Sequence, residues 1–469
     1  MKIEQIYTGC LAEAAYYIQS QGEAIIIDPL RETSPYIERA EKDGATIKYV
    51  FLTHFHADFV SGHVDLAKKT GATIVFGPNA QADFDFHTGI DGEEFKVGEL
   101  TLKLLHTPGH TMESSSYLLL DKEGKENCVF TGDTLFIGDV GRPDLAVKSD
   151  ITQEGLAAHL FDSLRSKLMT LPDSVIVYPS HGAGSACGKN MSKETFDTLG
   201  HQKEVNYALR ADMTKEEFVK EVLTGLIAPP AYFPKNVAMN KSVNTEIDDI
   251  LKTGTIALTI DTFKAMVDSK GAMIIDTRHQ TSFTKEHIPG SIFFGIDGGF
   301  APWVGALVSD INQPIIIVAD EGREEEVVTR LSRIGYDNSL GYLKGGITAW
   351  KEAGLETTSI ISLQPSEIVE LVNAEKSNLV DIRKPSEFLS EHVEEAVNAP
   401  LDVINDQMDD LSKDITYHVH CAGGYRSVIY ISIMKSRGYH NLIDVAGGYG
   451  LIKGTEGFHL SEYVCPTTL

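Results

Sequence analysis

Short apolar runs separated by turn residues fill roughly the first 180 residues and predict strands alternating with turns. One run, Tyr49, Val50, Phe51 and Leu52, leads into His54, Phe55, His56, Ala57, Asp58 and Phe59, then into an amphipathic stretch. That order predicts a buried strand meeting a helix, with the histidines at the strand end, where ligands commonly bind. Residues 204–212 and 215–226 read as helices. The following Ala228, Pro229, Pro230, Ala231, Tyr232, Phe233 and Pro234 cannot be helix interior. Towards the other end, an apolar-rich strand closing on Val419 and His420 enters a glycine-rich loop. This loop comprises Cys421, Ala422, Gly423, Gly424, Tyr425, Arg426 and Ser427, and the stretch from Val428 to Lys435 reads as a helix.

The second half of the chain repeats itself. Ile274, Ile275, Asp276, Thr277 and Arg278 precede Leu379, Val380, Asp381, Ile382 and Arg383 by 105 positions, and His287 precedes His392 by the same interval. Gly345 and Gly346 precede Gly447 and Gly448 by 102, so three residues are lost between these anchors. The later offset sets Ala319 opposite Cys421, Gly322 opposite Gly424 and Glu324 opposite Arg426. The first copy therefore lacks the thiol and reverses the charge, and reads as a non-catalytic spacer or docking domain. The alternative is that it binds something else through Asp320, Arg323 and Glu324. The first copy begins near Leu258, with Asp261 placed to cap a helix, and the second begins near Leu363.

Three separated pieces read as one metal site: the His54 to Phe59 segment; His106, Thr107, Pro108, Gly109 and His110; and Thr131, Gly132, Asp133 and Thr134. With a late Ser180, His181 and Gly182, their order resembles the metallo-β-lactamase superfamily over about the first half of the chain. That resemblance implies an αββα sandwich and, ordinarily, two metals. Here Phe59 stands where the motif carries its final histidine, and a phenyl ring has no lone pair to donate. A single metal is the expectation. Two imidazoles and a carboxylate with open positions suit non-haem iron(II), whereas a closed histidine-rich site suits zinc.

The run from Asp133 to Phe136 into Gly138, Asp139, Val140, Gly141, Arg142, Pro143, Asp144 and Leu145 resembles the persulfide dioxygenase branch, as do residues 181–185. The resemblance implies one Fe(II) per chain, held by His54, His110 and Asp133. His56, Asp58 and His181 then hold the ligands or bound water in place. His106 and His63 read as structural histidines, and Cys187 as a buried structural thiol.

A cysteine entering a glycine-rich loop before a helix faces backbone N–H groups and a helix N-terminus, which stabilise a thiolate and any anionic sulfur it carries. Arg426 adds a fixed cation suited to an oxyanion. The Cys-x-x-Gly-x-Arg pattern, with Asp381, Arg383, Phe388 and His392 before it and Gly447 and Gly448 after it, resembles the rhodanese sulfurtransferases. The resemblance implies that Cys421 carries sulfane sulfur, that Arg426 guides substrate, and that Ala422, Gly423, Gly424 and Tyr425 form the substrate loop.

Together these readings imply a doubly functional α/β enzyme. Residues 1–245 form a metallo-β-lactamase-fold dioxygenase domain, 246–357 a rhodanese-like domain without its cysteine and 358–469 a catalytic rhodanese domain, the last two both doubly wound α/β. Its substrates are a thiol persulfide and O2, its products sulfite and thiosulfate, and the resemblance implies a homo-oligomer. A dinuclear-zinc glyoxalase II-like thioester hydrolase with a rhodanese tail is one alternative; a non-enzymatic persulfide carrier or sensor is another.

The net charge of −26 argues against nucleic acid as partner. No apolar span is long enough for a membrane, and no secretory start is read. Five cysteines make no disulfide framework, and a working thiolate suits a reducing compartment, so cytoplasm is the expectation.

Overall fold

The computed structural model describes residues 1–146, 151–226, 228–374, 376–407 and 411–465. The chain divides into two compact units: Met1–Ile247 with Ser332–Gly335, and Asp248–Leu331 with Tyr336–Leu469.

The first unit is built on two six-stranded sheets. One runs in chain order through Lys2–Thr8, Glu13–Ser20, Glu23–Ile27, Thr46–Phe51, Thr73–Phe76 and His87–Thr88. The other is ordered Asp197–Thr198, Ile176–Pro179, Glu126–Gly132, Ser115–Leu120, Leu100–His106 and Glu94–Val97. Alternation along Glu13–Ser20 shows how the layers form. Ala14, Tyr16 and Ile18 meet Leu102, Leu104, Tyr117 and Phe130 of the other sheet, while Ala15 and Tyr17 turn to the outer face with Tyr36 and Leu66. On the far side, Val129 and Val177 pack with Leu160, Leu164, Phe218 and Val222. The central strands of both sheets are thereby buried on both faces, giving the αββα sandwich.

The second unit holds two five-stranded parallel sheets of identical order. The first is ordered Ala257–Leu258, Ser339–Leu343, Ile315–Val318, Met273–Asp276 and Ile292–Phe293; the second Ser362–Leu363, Leu442–Val445, Tyr417–His420, Asn378–Asp381 and Val397–Asn398. The repeat extends to side chains. Arg278 pairs with Asp276, and Arg383 with Asp381. The rings of His287 and His392 stack on Phe283 and Phe388 at 3.9 and 3.8 Å.

Some local expectations fail for identifiable reasons. The helix expected over 204–212 is Leu199–Val205, because Asn206 leaves helical geometry and caps the short turn Tyr207–Leu209 instead. Lys215–Leu223 starts at a Thr214–Glu217 capping box and stops at Thr224, short of residue 226. Thr259, rather than Asp261, caps Ile260–Lys270; Asp261 lies in the first turn. Among the described residues, no helix is long and apolar enough to cross a membrane.

The Asp381–Arg383 pair is buried, and Arg383 also donates to Glu391 O and lies over the Tyr449 ring. Arg383→Ala leaves a buried carboxylate without its cation and should destabilise its domain by about 3–5 kcal/mol. Chemical denaturation followed by circular dichroism reads this; an unchanged transition would contradict it.

Candidate metal centre and cysteine loop

Strand ends converge at the first site. Asp28 follows Glu23–Ile27, His54 follows Thr46–Phe51, His110 follows Leu100–His106, Asp133 follows Glu126–Gly132 and His181 follows Ile176–Pro179. Gly132 turns at φ +53°, and a Cβ there would lie 2.6 Å from Thr53, so this close approach needs glycine. His54, His110, Asp133, His56, Asp58 and His181 are all buried.

Hydrogen bonds orient the imidazoles. Thr53 Oγ1 donates to Asp28 Oδ2 and so accepts from His54 Nδ1 at 2.9 Å. His110 Nδ1 donates to Arg142 O at 2.8 Å, and His181 Nδ1 to Ala12 O at 3.1 Å. Each ring is left with Nε2 facing the pocket. Asp133 Oδ2 lies 3.8 Å from His54 Nε2 and 3.4 Å from His110 Nε2, while Oδ1 lies 3.6 Å from His181 Nε2. Among the described residues, neither Asp133 oxygen accepts an aligned hydrogen bond, although the Cys187 thiol lies close by. Burial, then the neighbouring histidines, holds the His54 pKa well below its usual value. Burial opposes protonation of His181 too, but Asp58 and Asp133 outweigh it and raise the pKa. Asp133 oxygens facing the Nε2 atoms of His54, His110 and His181 are a donor set that could hold a cation.

The potential ligand atoms of His54, His110 and Asp133 all lie within 4.8 Å of one another. Those of His56, Asp58 and His181 form a second such group, and Asp133, His181 and Cys187 a third. The second group exists despite Phe59, whose buried ring packs on His56 at 4.3 Å. His56 Nε2 approaches Asp28 Oδ1 at 3.1 Å without the alignment of a hydrogen bond. Cys187 is buried, as expected, but it shares the pocket. Burial and the Asp58 and Asp133 charges push its thiol pKa well up. His106 instead donates to Met112 O, and His63 lies between Phe76 and Phe84 with burial pushing its pKa down to about 3.

Two supports went unread in the sequence. Asp28 accepts from Thr53 and Ser180, and its signal was a lone carboxylate closing the apolar run Ile25, Ile26, Ile27. Asn240 donates to His56 O and Phe59 O, bracing the motif loop. It belongs to Phe233–Asn240, the helix that begins within the proline-rich segment.

At the second site, Cys421 is buried at the end of Tyr417–His420, ahead of the helix Arg426–Ser436. Gly424 N–H donates to Cys421 Sγ at 3.1 Å. Ser427 Oγ lies 3.7 Å from the sulfur and donates to Asp444. Ala422 and Gly423 are exposed at the loop mouth, whereas Tyr425 turns away from it. Arg426 is held by both oxygens of Glu387, at 2.7 and 2.8 Å. Ala319 follows Ile315–Val318 as Cys421 follows its strand, and Arg323 is paired with Asp297 and Glu326.

The metallo-β-lactamase superfamily profile matches residues 8–181, and the rhodanese-like domain profile matches 259–353 and 364–454. A metallo-β-lactamase crystal structure from Staphylococcus aureus subsp. aureus COL superposes with a TM-score of 0.64 at 31% identity, covering 73% of this chain and 98% of that one. The human mitochondrial persulfide dioxygenase is 32% identical over 200 residues, 42% of this chain and 70% of its own. The chain belongs to the metallo-β-lactamase superfamily. Two rhodanese-like domains follow its metallo-β-lactamase domain. A cytoplasmic hydroxyacylglutathione hydrolase from Arabidopsis thaliana is also 32% identical, over 186 residues, 39% of this chain and 67% of its own. Within the superfamily, therefore, likeness alone does not separate an oxygenase from a hydrolase.

Asp133→Ala removes the carboxylate shared by two of the three donor groups. It should cut the metal retained through gel filtration to below about a tenth of wild type. His106→Ala should retain full content. Elemental analysis decides, and equal metal in Asp133→Ala and wild type would refute the assignment.

Proposed function

We propose that this chain oxidises a thiol persulfide to sulfite and moves sulfane sulfur through Cys421. The observation that carries the reading is the buried His54, His110 and Asp133 set, two imidazoles and one carboxylate, on a chain that also holds Cys421 beneath a backbone N–H. Iron(II), one per chain, suits that set and supplies open positions and redox chemistry for adding both atoms of O2 to the terminal sulfur. Overall, RSSH, O2 and H2O give RSH, sulfite and two protons.

The chain's own residues prepare the site. Thr53 and the Arg142 carbonyl hold the His54 and His110 rings with Nε2 inward, and the buried Phe59 and Phe136 limit water. At the second centre, the Cys421 thiolate attacks the outer sulfur of a persulfide; the S–S bond breaks and the thiolate RS⁻ leaves. Sulfite then takes that sulfur as thiosulfate and frees Cys421. Gly424 N–H and the helix N-terminus stabilise the anionic sulfur. Glu387 fixes Arg426 beside the loop. The same reading assigns three domains with boundaries near 245 and 357, a cytoplasmic setting and a homo-oligomer.

One observation favours a second reading. His56, Asp58 and His181 offer a second donor group, as a dinuclear-zinc thioester hydrolase like glyoxalase II requires. Two tightly bound zincs with thioester hydrolysis would support it.

Cys421→Ser separates the centres. With persulfide, the iron-loaded variant should keep its oxygen uptake within about twofold of wild type, because Cys421 lies outside the iron-binding set, and release sulfite in place of thiosulfate. Thiosulfate formation at the wild-type rate would remove Cys421 from the scheme.

A further inference from the structure

Tyr425 lies in the Cys421 loop but reaches into the copy that has no cysteine. Its hydroxyl donates to Gly295 O at 2.6 Å, and its ring meets Phe293 edge-on at 5.5 Å. The receiving turn is held in place. Gly298 N–H donates to Gly295 O at 3.2 Å, and Arg330, from the helix Glu324–Arg333, donates to Ile296 O at 2.7 Å. Gly298 leaves the space that the ring occupies; a Cβ there would lie 2.3 Å from Tyr425 Cζ. A second tie comes from the helix that follows Tyr425, Arg426–Ser436, where Ser432 Oγ accepts from Phe293 N–H at 3.0 Å.

On its other side, Tyr425 is one peptide from the group that touches the sulfur. Gly424 supplies the N–H to Cys421 Sγ, and Tyr425 is the N-cap of Arg426–Ser436. The ring therefore anchors the point where the loop becomes the helix. Both groups that stabilise anionic sulfur, the Gly424 N–H and the helix N-terminus, take their position from that point.

We propose that the cysteine-free rhodanese-like domain positions the Cys421 loop, with Tyr425 as the positioning residue and the Gly295–Gly298 turn as its seat. The proposal rests on reading Cys421 as the sulfur-carrying residue. It gives the first copy a physical role that needs no nucleophile: what it retains is a turn shaped to hold one tyrosine.

The test uses the full-length protein and four variants: Gly298→Ala, Tyr425→Ala, Tyr425→Phe, and Gly298→Ala combined with Tyr425→Ala. Two readouts are taken: sulfur transfer from thiosulfate to cyanide, and the rate of Cys421 alkylation by iodoacetamide, mapped by peptide mass spectrometry. Gly298→Ala displaces the ring and should slow transfer about tenfold, although it lies in the domain without a thiol. Tyr425→Ala should do the same. The double variant should be no slower than Tyr425→Ala alone, because the added methyl then meets no ring. Tyr425→Phe keeps the ring and should recover most of the lost rate. If Gly298→Ala fails to fold, the comparison of Tyr425→Ala with Tyr425→Phe carries the test. Wild-type behaviour of Gly298→Ala in both readouts, equal defects in Tyr425→Ala and Tyr425→Phe, or multiplied defects in the double variant would overturn the proposal. If wild type takes no sulfur from thiosulfate while alkylation still follows this pattern, the sulfur-carrying reading fails and the positioning role stands.

Discussion

The Asp133 carboxylate is the constraint on which the first unit turns. It is buried and surrounded by imidazoles, and among the described residues neither oxygen accepts an aligned hydrogen bond. An unpaired buried anion costs ~several kcal/mol even after relaxation. The Nδ1 atoms of the surrounding rings are committed to Thr53, Arg142 O and Ala12 O, which leaves their Nε2 atoms facing the carboxylate. A cation shared among the Nε2 atoms and the carboxylate removes the conflict. The sandwich holds the conflict in place: each participating residue follows the end of a strand whose register is set by packing on both faces.

The second unit solves the opposite electrostatic problem. On the proposed sulfur-transfer reading, Cys421 works without a metal, beneath an aimed backbone N–H and ahead of a helix terminus. The guanidinium of Arg426 is engaged by both carboxylate oxygens of Glu387. Both copies keep the buried Asp–Arg pair and the stacked histidine that hold a rhodanese-like sheet end together, and one copy keeps the thiol.

Features carried by contiguous pattern were legible in the sequence. The strand before His54, the repeat spacing that aligns Ala319 with Cys421, and the helix after the Cys421 loop all reappear in the fold. Features set by long-range packing were not. Asp28 and Asn240 brace the motif loop from 25 and 184 positions away, and neither distance leaves a local signature. Cys187 reads as an ordinary buried thiol until folding places it beside Asp133. Phe59 marks a lost donor in the motif, yet His56, Asp58 and His181 still converge, because convergence depends on strand ends rather than on motif spacing. Local helix limits failed where a side chain preferred to cap, as at Asn206 and Thr259.

The central claim is that the His54, His110 and Asp133 site handles persulfide sulfur with oxygen. The most direct test is oxygen uptake by protein loaded with one equivalent of iron(II), comparing a small-thiol persulfide with the bare thiol. The account predicts uptake with the persulfide, matched by sulfite or thiosulfate, and none with the thiol. No uptake from protein confirmed to hold one iron per chain would contradict it.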